Sequence, residues 1–465
     1  MLAKDGIFRE YDIRGVVGKD FDADLAHALG VVLAREVIAA SGKNDGSALV
    51  GVGRDCRISG PALEDAMING LLAGGVSVIR CGMGPTPQLY YSVVERNLDG
   101  GVQITASHNP GDQNGFKMMV GRGTLSGEAI QKLKHAISAI AEMPKTPSKG
   151  TSVIEFAAQE AYLAELIKRS QSAMGERKLR VVVDGGNGVG GMVGPELLRQ
   201  LGCEVIEIFT EPDGRFPNHH PDPTVLENIV EMRKLVVEKQ ADVGIAWDGD
   251  ADRIGIVDEK GNPIWGDMLL IIFGRALLKD VPGATIIGDV KCSELMFSDL
   301  RARGGNPVMS RTGHSLIKAK LKELHAQLAG EMSGHMFFVH RYYGFDDALH
   351  ASARLVEILS KSQQPLSKML ADLPKVVSTP ELRVDCPDPI KFKVVEKAQT
   401  SFGDYEVNTL DGVRVKFPKG WGLVRASNTQ AALVMRFEAE NDVALSEYRS
   451  IVETKIREIT TALSR

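Results

Sequence analysis

No apolar leader is expected at the start of the chain. Met1 to Asp12 carries charges and no apolar core of the kind a signal peptide needs, so a cytoplasmic home is expected. It also lacks a membrane-length hydrophobic run. The longest apolar stretch, Met268 to Leu278, is interrupted by Arg275, and a bilayer needs about 20 apolar residues. No membrane partner is expected. Cysteine is scarce: five residues (Cys56, Cys81, Cys203, Cys292, Cys386), odd in number and scattered. That excludes a disulfide framework and any zinc-type spacing, and fits a reducing compartment. No basic block exists, and the formal net charge is −5, which argues against nucleic acid as the main partner.

What is present is a soluble-protein balance, 43% hydrophobic and 25% charged over 465 residues, a length that suggests about three domains. One plan recurs. Ala48-Leu49-Val50-Gly51-Val52-Gly53, Leu179-Arg180-Val181-Val182-Val183 and Thr285-Ile286-Ile287-Gly288 each precede a polar loop. Each loop leads into a helical stretch, a glycine stop and a second apolar run, so each reads as a βαβ unit. Three copies about a hundred residues apart predict three related α/β domains with parallel or mixed sheets. The Pro/Lys/Ser-rich stretch Met143 to Gly150 reads as a first linker after an amphipathic helix, Glu128 to Ile140. Boundaries near 258 and 373 follow. Beyond Leu373-Pro374, short strands such as Val413 to Phe417 and a closing helix, Asp442 to Leu463, predict an α+β module.

Four loops carry chemistry. Thr105-Ala106-Ser107-His108-Asn109-Pro110 ends an apolar run, where a hydroxyl can be held out of the fold beside an imidazole. A serine is a weak nucleophile unless its surroundings activate it, and an isolated Ser-His pair is ordinarily just a turn. Asp248-Gly249-Asp250-Ala251-Asp252-Arg253 sets carboxylates at alternate positions, which converge on a hard cation if the backbone is a bent loop. A calcium EF-hand is excluded, because its sixth-position glycine is Arg253 and the flanks are strand-like. The ordinary alternative is a solvated acidic turn. Gly330-Glu331-Met332-Ser333-Gly334-His335 offers acceptors and a hydroxyl suited to sugar hydroxyls, with an imidazole able to act as acid or base. Arg425-Ala426-Ser427-Asn428-Thr429 sets a fork-shaped cation, two hydroxyls and an amide in one loop able to grip a phosphate; otherwise it is a polar hairpin tip. A competing motif, Gly186-Asn187-Gly188-Val189-Gly190-Gly191, fits a dinucleotide fingerprint with Glu207 at the end of the next strand. It supports a rival NAD-dependent sugar-phosphate dehydrogenase. That rival leaves the serine, aspartate and arginine loops unexplained, so the turn is read as structural.

Together with Phe8-Arg9-Glu10-Tyr11-Asp12-Ile13-Arg14-Gly15, these loops resemble the α-D-phosphohexomutases, within them the bacterial phosphomannomutase/phosphoglucomutase group. The resemblance runs from about Phe8 to about Thr429. It implies three related α/β domains with mixed sheets plus a C-terminal α+β domain, around a central cleft. The expected division is residues 1–150 (phosphoserine), 151–258 (metal), 259–373 (sugar recognition) and 374–465 (phosphate binding). It implies a phosphoserine at Ser107 that gives its phosphoryl group to a hexose phosphate and takes back the other phosphate of the bisphosphate formed. Glucose 1,6-bisphosphate is then the activator or intermediate. It implies Mg²⁺ on Ser107, Asp248, Asp250 and Asp252. Lys117 is a candidate base, His335 a candidate acid or base, and Arg14 and Arg253 lie by the transferred group. Tyr11, Lys291, His314, Glu331 and Ser333 would meet the substrate, and Arg425, Ser427, Asn428 and Thr429 the distal phosphate. Met332 resembles the mannose/glucose type rather than a phosphoglucosamine mutase. The expected partners are small hexose phosphates. The oligomeric state is left open, with a monomer as the working expectation.

Overall fold

The structure, a computed structural model, describes residues 4–427 and 431–463. It contains four sheets in chain order. In the first, Leu49–Arg54 runs parallel to Ser77–Met83 and to Gly100–Ile104. Gln113–Val120 then turns back antiparallel to Gly100–Ile104 and pairs with Ile13–Val16 at the edge. Val153–Glu155 adds to the opposite edge, beside Ser77–Met83.

The second and third sheets repeat this plan. Arg180–Asp184 is parallel to Glu204–Ile208 and to Val243–Trp247, and Ile254–Asp258 returns antiparallel. Thr285–Asp289 is parallel to Asn306–Ser310 and Leu328–Gly330, and Met336–Phe338 returns antiparallel. The three βαβ units expected from sequence are therefore parallel pairs, with helices Gly60–Ala73, Gly194–Gln200 and Glu294–Ala302 as their crossovers. The valines of Val181–Val183 are all buried, the pattern of a strand covered on both faces.

The fourth sheet is wholly antiparallel. It runs Val377–Ser378, Ala432–Ala439, Gly420–Ala426, Val413–Phe417 and Glu406–Asn408, with Leu382–Asp385 also on Ala432–Ala439. The long helix Asp442–Leu463 closes it, burying Ala444, Tyr448, Val452 and Ile456 at helical spacing. The mixed α/β architecture with a terminal α+β unit is thus as expected. Helix Ala348–Ser360 is buried almost all round. It joins the second and third units in one core, and its Ser352 hydroxyl accepts from Trp247 Nε1 at 3.0 Å. Among the described residues no helix is long and apolar enough to cross a membrane. All five cysteines are free.

Candidate active site

Three of the four sequence loops occupy one topological position. The Ser107 loop links Gly100–Ile104 to Gln113–Val120, the aspartate loop links Val243–Trp247 to Ile254–Asp258, and the Glu331 loop links Leu328–Gly330 to Met336–Phe338. Each is the hairpin at which its sheet changes from parallel to antiparallel, and all three meet.

Ser107 is buried and holds a left-handed backbone, φ 52°. Such strain persists only where the surroundings impose it. Here Thr105 Oγ1 accepts from the Ser107 amide at 2.9 Å and donates to Asp55 Oδ2 at 2.7 Å. Arg57, fully buried, pairs with Asp55 at 3.0 Å and donates to the carbonyls of Ser107, Asn109, Pro110 and Gln113. The hydroxyl of Ser107 donates to Asp248 Oδ2 at 2.6 Å and lies 3.1 Å from His108 Nδ1. Gly249 permits this approach: a Cβ there would sit 2.3 Å from the Ser107 carbonyl oxygen. Arg14 reaches the same loop, with Nη1 3.2 Å from Ala106 O, and is oriented by Asp12 at 2.7 Å.

Asp248, Asp250 and Asp252 are all buried, and each offers an oxygen within 4.8 Å of the others. Three buried carboxylates repel one another and need positive charge. Lys117 supplies it, 2.6 Å from Asp250 Oδ2 and also paired with Asp252 Oδ2. Burial would lower the lysine's pKa, but Asp250 and Asp252 outweigh it and hold the ammonium well above its ordinary range. Burial and the other two carboxylates push Asp248 up. Burial also acts to raise Asp252, but Lys117 and His335 hold it ionised. Asp250 Oδ1 is buried without a hydrogen-bond partner, and Asp252 Oδ1 faces His335 Nε2 at 3.2 Å. All-oxygen donors with lone pairs to spare fit a hard divalent cation such as Mg²⁺. Thr86, which sequence reasoning missed, donates to Asp250 Oδ2 at 2.5 Å.

The third loop docks on the second. Arg253 and His335 form an isolated antiparallel bridge, and Ile254 N donates to Gly334 O at 3.1 Å. His335 Nδ1 lies 2.6 Å from Glu331 Oε2, and its Nε2 lies 3.2 Å from Asp252 Oδ1 and 3.3 Å from Arg253 Nε. Burial acts to lower the imidazole's pKa, but Asp252, helped by Glu331, outweighs it and raises the value to about 9. Glu331 in turn falls to about 2: burial acts to raise it, against His335, Lys291 and the amide of Gly313. Ser333 Oγ is 3.4 Å from His335 Nδ1. His314 lies 5.9 Å from the His335 ring and 3.4 Å from Asp346, which also pairs with Lys318 at 3.0 Å.

Lys291 Nζ sits 3.2 Å from Glu381 and 3.9 Å from Asp289. Tyr11 OH donates to Thr312 O at 2.7 Å, joining the N-terminal segment to the loop before His314. Gly313, φ 131°, lets the tyrosine pass, since a Cβ there would lie 2.5 Å from Tyr11 Cε1. Arg425 is buried beside Asp411, and Ser427, two residues on, is buried as well. Asn428 and Thr429 lie outside the described residues. The glycine turn at 186–191 is spent on structure: the Asn187 carbonyl accepts from Cys56 Sγ and from the Asp213 amide. Glu207 pairs with Arg199 and accepts from Thr210 at 2.8 Å.

Known proteins share this organisation. Four family models match the chain in order: the phosphoglucomutase/phosphomannomutase alpha/beta/alpha domains I, II and III at residues 5–144, 160–261 and 265–377, and the C-terminal domain at 381–455. A phosphomannomutase/phosphoglucomutase of Pseudomonas putida is 43% identical over 461 residues, covering 99% of this chain and 97% of the relative. A phosphoglucomutase of Neisseria gonorrhoeae is 43% identical over 456 residues, covering 96% and 97%. Among solved structures, a phosphoglucomutase/phosphomannomutase family protein of Burkholderia thailandensis superposes with a TM-score of 0.90 at 41% identity, covering 99% of this chain and 98% of that one. The chain belongs to the phosphoglucomutase/phosphomannomutase family.

Proposed function

We propose that this phosphohexomutase interconverts the 1- and 6-phosphates of mannose and glucose by relaying a phosphoryl group through Ser107. The observation that carries this reading is the Ser107 hydroxyl 2.6 Å from Asp248, at the mouth of a buried three-carboxylate cage. Phosphorylated on Oγ, Ser107 gives its phosphoryl group to the free hydroxyl of a hexose phosphate. The Oγ–P bond breaks, a sugar O–P bond forms, and the hydroxyl proton passes to a base. Glucose 1,6-bisphosphate is the intermediate in the glucose direction. After the bisphosphate turns over in the site, its other phosphoryl group returns to Oγ.

Asp248, Asp250, Asp252 and a phosphoryl oxygen on Ser107 would hold Mg²⁺, which when bound supplies positive charge against the phosphoryl oxygens. Arg14 and Arg253, fixed cations beside the serine loop, stabilise charge developing on the same group. His335, protonated between two carboxylates, suits the proton donor at the bridging oxygen. Lys117 holds its proton while paired with Asp250 and Asp252, and becomes an acceptor only when those contacts are broken. Glu331 and Ser333 read vicinal hydroxyls, with Lys291, His314 and Tyr11 lining the path. Arg425, Ser427, Asn428 and Thr429 hold the phosphate that is not being transferred. Residues 1–150, 151–258, 259–373 and 374–465 then supply phosphoserine, metal, sugar and distal-phosphate functions in turn.

Steady-state assay of Ser107→Ala with glucose 1-phosphate and with mannose 1-phosphate, each with Mg²⁺, tests the reading. Turnover is expected to fall by about a thousandfold or more while hexose phosphate still binds. Parental turnover in that variant would remove the relay.

A further inference from the structure

Resting on the phosphate role proposed for Arg425, we propose that Asp411 is the positioning residue that aims this arginine and latches the fourth unit to the third. Asp411 lies in the short turn between strands Glu406–Asn408 and Val413–Phe417, outside every motif that marks the site in sequence. One of its oxygens does two jobs. Asp411 Oδ2 accepts from Arg425 Nε at 3.1 Å and from the backbone amide of Thr312 at 3.0 Å. Both side chains are largely shielded, Arg425 at 7% and Asp411 at 11% exposure.

The contact runs on across the molecule. The Thr312 carbonyl accepts from Tyr11 OH at 2.7 Å, and the Thr312 hydroxyl donates to Asp289 at 2.9 Å. The next amide, Gly313, donates to Glu331 at 2.6 Å. A single carboxylate thus ties the arginine strand of the fourth unit to a loop that is bonded both to the first unit and to the sugar-reading glutamate. The turn is packed for this: Gly412 has φ 89°, and a Cβ there would lie 2.3 Å from Val424 O on the arginine's own strand.

The geometry of the guanidinium points the same way. Its Nε edge is taken by Asp411, while Nη2 is buried without a hydrogen-bond partner. Arg425 also feels the charges of Tyr11 and Asp289, and Lys291 feels Arg425, so the group lies among the cleft residues. An arginine clamped by one edge presents the other in a fixed orientation to a dianion, losing little freedom on binding. A carboxylate that merely neutralised the arginine would have the opposite effect, since it would compete with the phosphate.

Steady-state kinetics on Asp411→Ala, Asp411→Asn, Arg425→Ala and the Asp411→Ala/Arg425→Ala double variant separate these cases. Each is assayed with glucose 1-phosphate, Mg²⁺ and glucose 1,6-bisphosphate. Removing a contact equally strong in ground and transition states raises KM and spares kcat. Asp411→Ala is therefore expected to raise KM about tenfold with kcat within about threefold of the parent. Asp411→Asn keeps an acceptor oxygen in nearly the same shape, so its KM should fall between the two. In the double variant the KM should match that of Arg425→Ala alone, because the aspartate acts through the arginine. An Asp411→Ala or Asp411→Asn KM at or below the parent value, beside a raised Arg425→Ala KM, overturns the positioning role alone. Effects that multiply in the double variant also overturn it. An Arg425→Ala KM equal to the parent overturns the phosphate assignment beneath it.

Discussion

Ser107 takes an unfavourable backbone conformation, and the side chain that enforces it is Arg57. Its guanidinium satisfies four loop carbonyls and the Asp55 carboxylate with no exposure to water. Removing a buried partner of this kind leaves an uncompensated charge, at a cost of about 3–5 kcal/mol. Arg57→Met is therefore expected to lower the melting temperature by several degrees and to abolish turnover together, measured by thermal unfolding and mutase assay. Arg57 was not singled out from the sequence, because its contact with Ser107 spans 50 positions and no local pattern announces it. Ser107 itself was legible because its loop is a contiguous motif. A second residue-scale effect is electrostatic. Lys291 holds Glu381 down to about 2 from an ordinary 4.5, against burial. A depressed carboxylate contributes stability above its unfolded value and loses it as pH falls through the folded one. The pair is partly exposed, which screens it to about 2 kcal/mol. Glu381→Gln should melt below the parent at pH 6, and the gap should close as the pH is taken down toward 2. A gap independent of pH would contradict the assignment.

At the scale of elements, the central fact is that three hairpin loops at equivalent places in three similar sheets converge. The repeat of βαβ units was readable from apolar runs and glycine stops, because strand burial and helix termination are local properties. The convergence was not, since it depends on how the sheets pack. Gly249 marks the tightest point, with no room for a methyl group beside the Ser107 carbonyl. Gly249→Ala forces the serine and aspartate loops apart, an overpacking that costs about 1–3 kcal/mol. Turnover should fall by about tenfold or more, because displacements of this size disrupt phosphoryl transfer more than folding. Kinetics beside a melting curve would show whether the two losses separate. Asp346 and Asp411 illustrate what stays hidden. Each completes a site from outside the motifs, Asp411 reaching Thr312 across 99 positions.

For the whole molecule, polar contacts as well as core join the units, and the third touches each of the others. Tyr11 joins the first unit to the third, Arg253 and His335 join the second to the third, and Arg414 and Arg436 reach from the fourth into the carbonyls of Val290, Cys292 and Lys291. At the centre Lys117 pairs with two of the three buried aspartates and offsets part of their charge. Chelation should therefore stop turnover while leaving the fold intact. Lys117→Met should lower the melting temperature of chelated protein by several degrees, and added Mg²⁺ should restore much of it, because a ligand that binds only the folded state stabilises it by mass action. The relay itself is tested most directly by peptide mass analysis of Ser107. The protein is first incubated with glucose 1,6-bisphosphate and Mg²⁺, then chased with glucose 6-phosphate. The expected result is one phosphoryl group on Ser107 and no other residue, lost on the chase as bisphosphate appears. Sustained mutase turnover with Ser107 unmodified at every stage would contradict it.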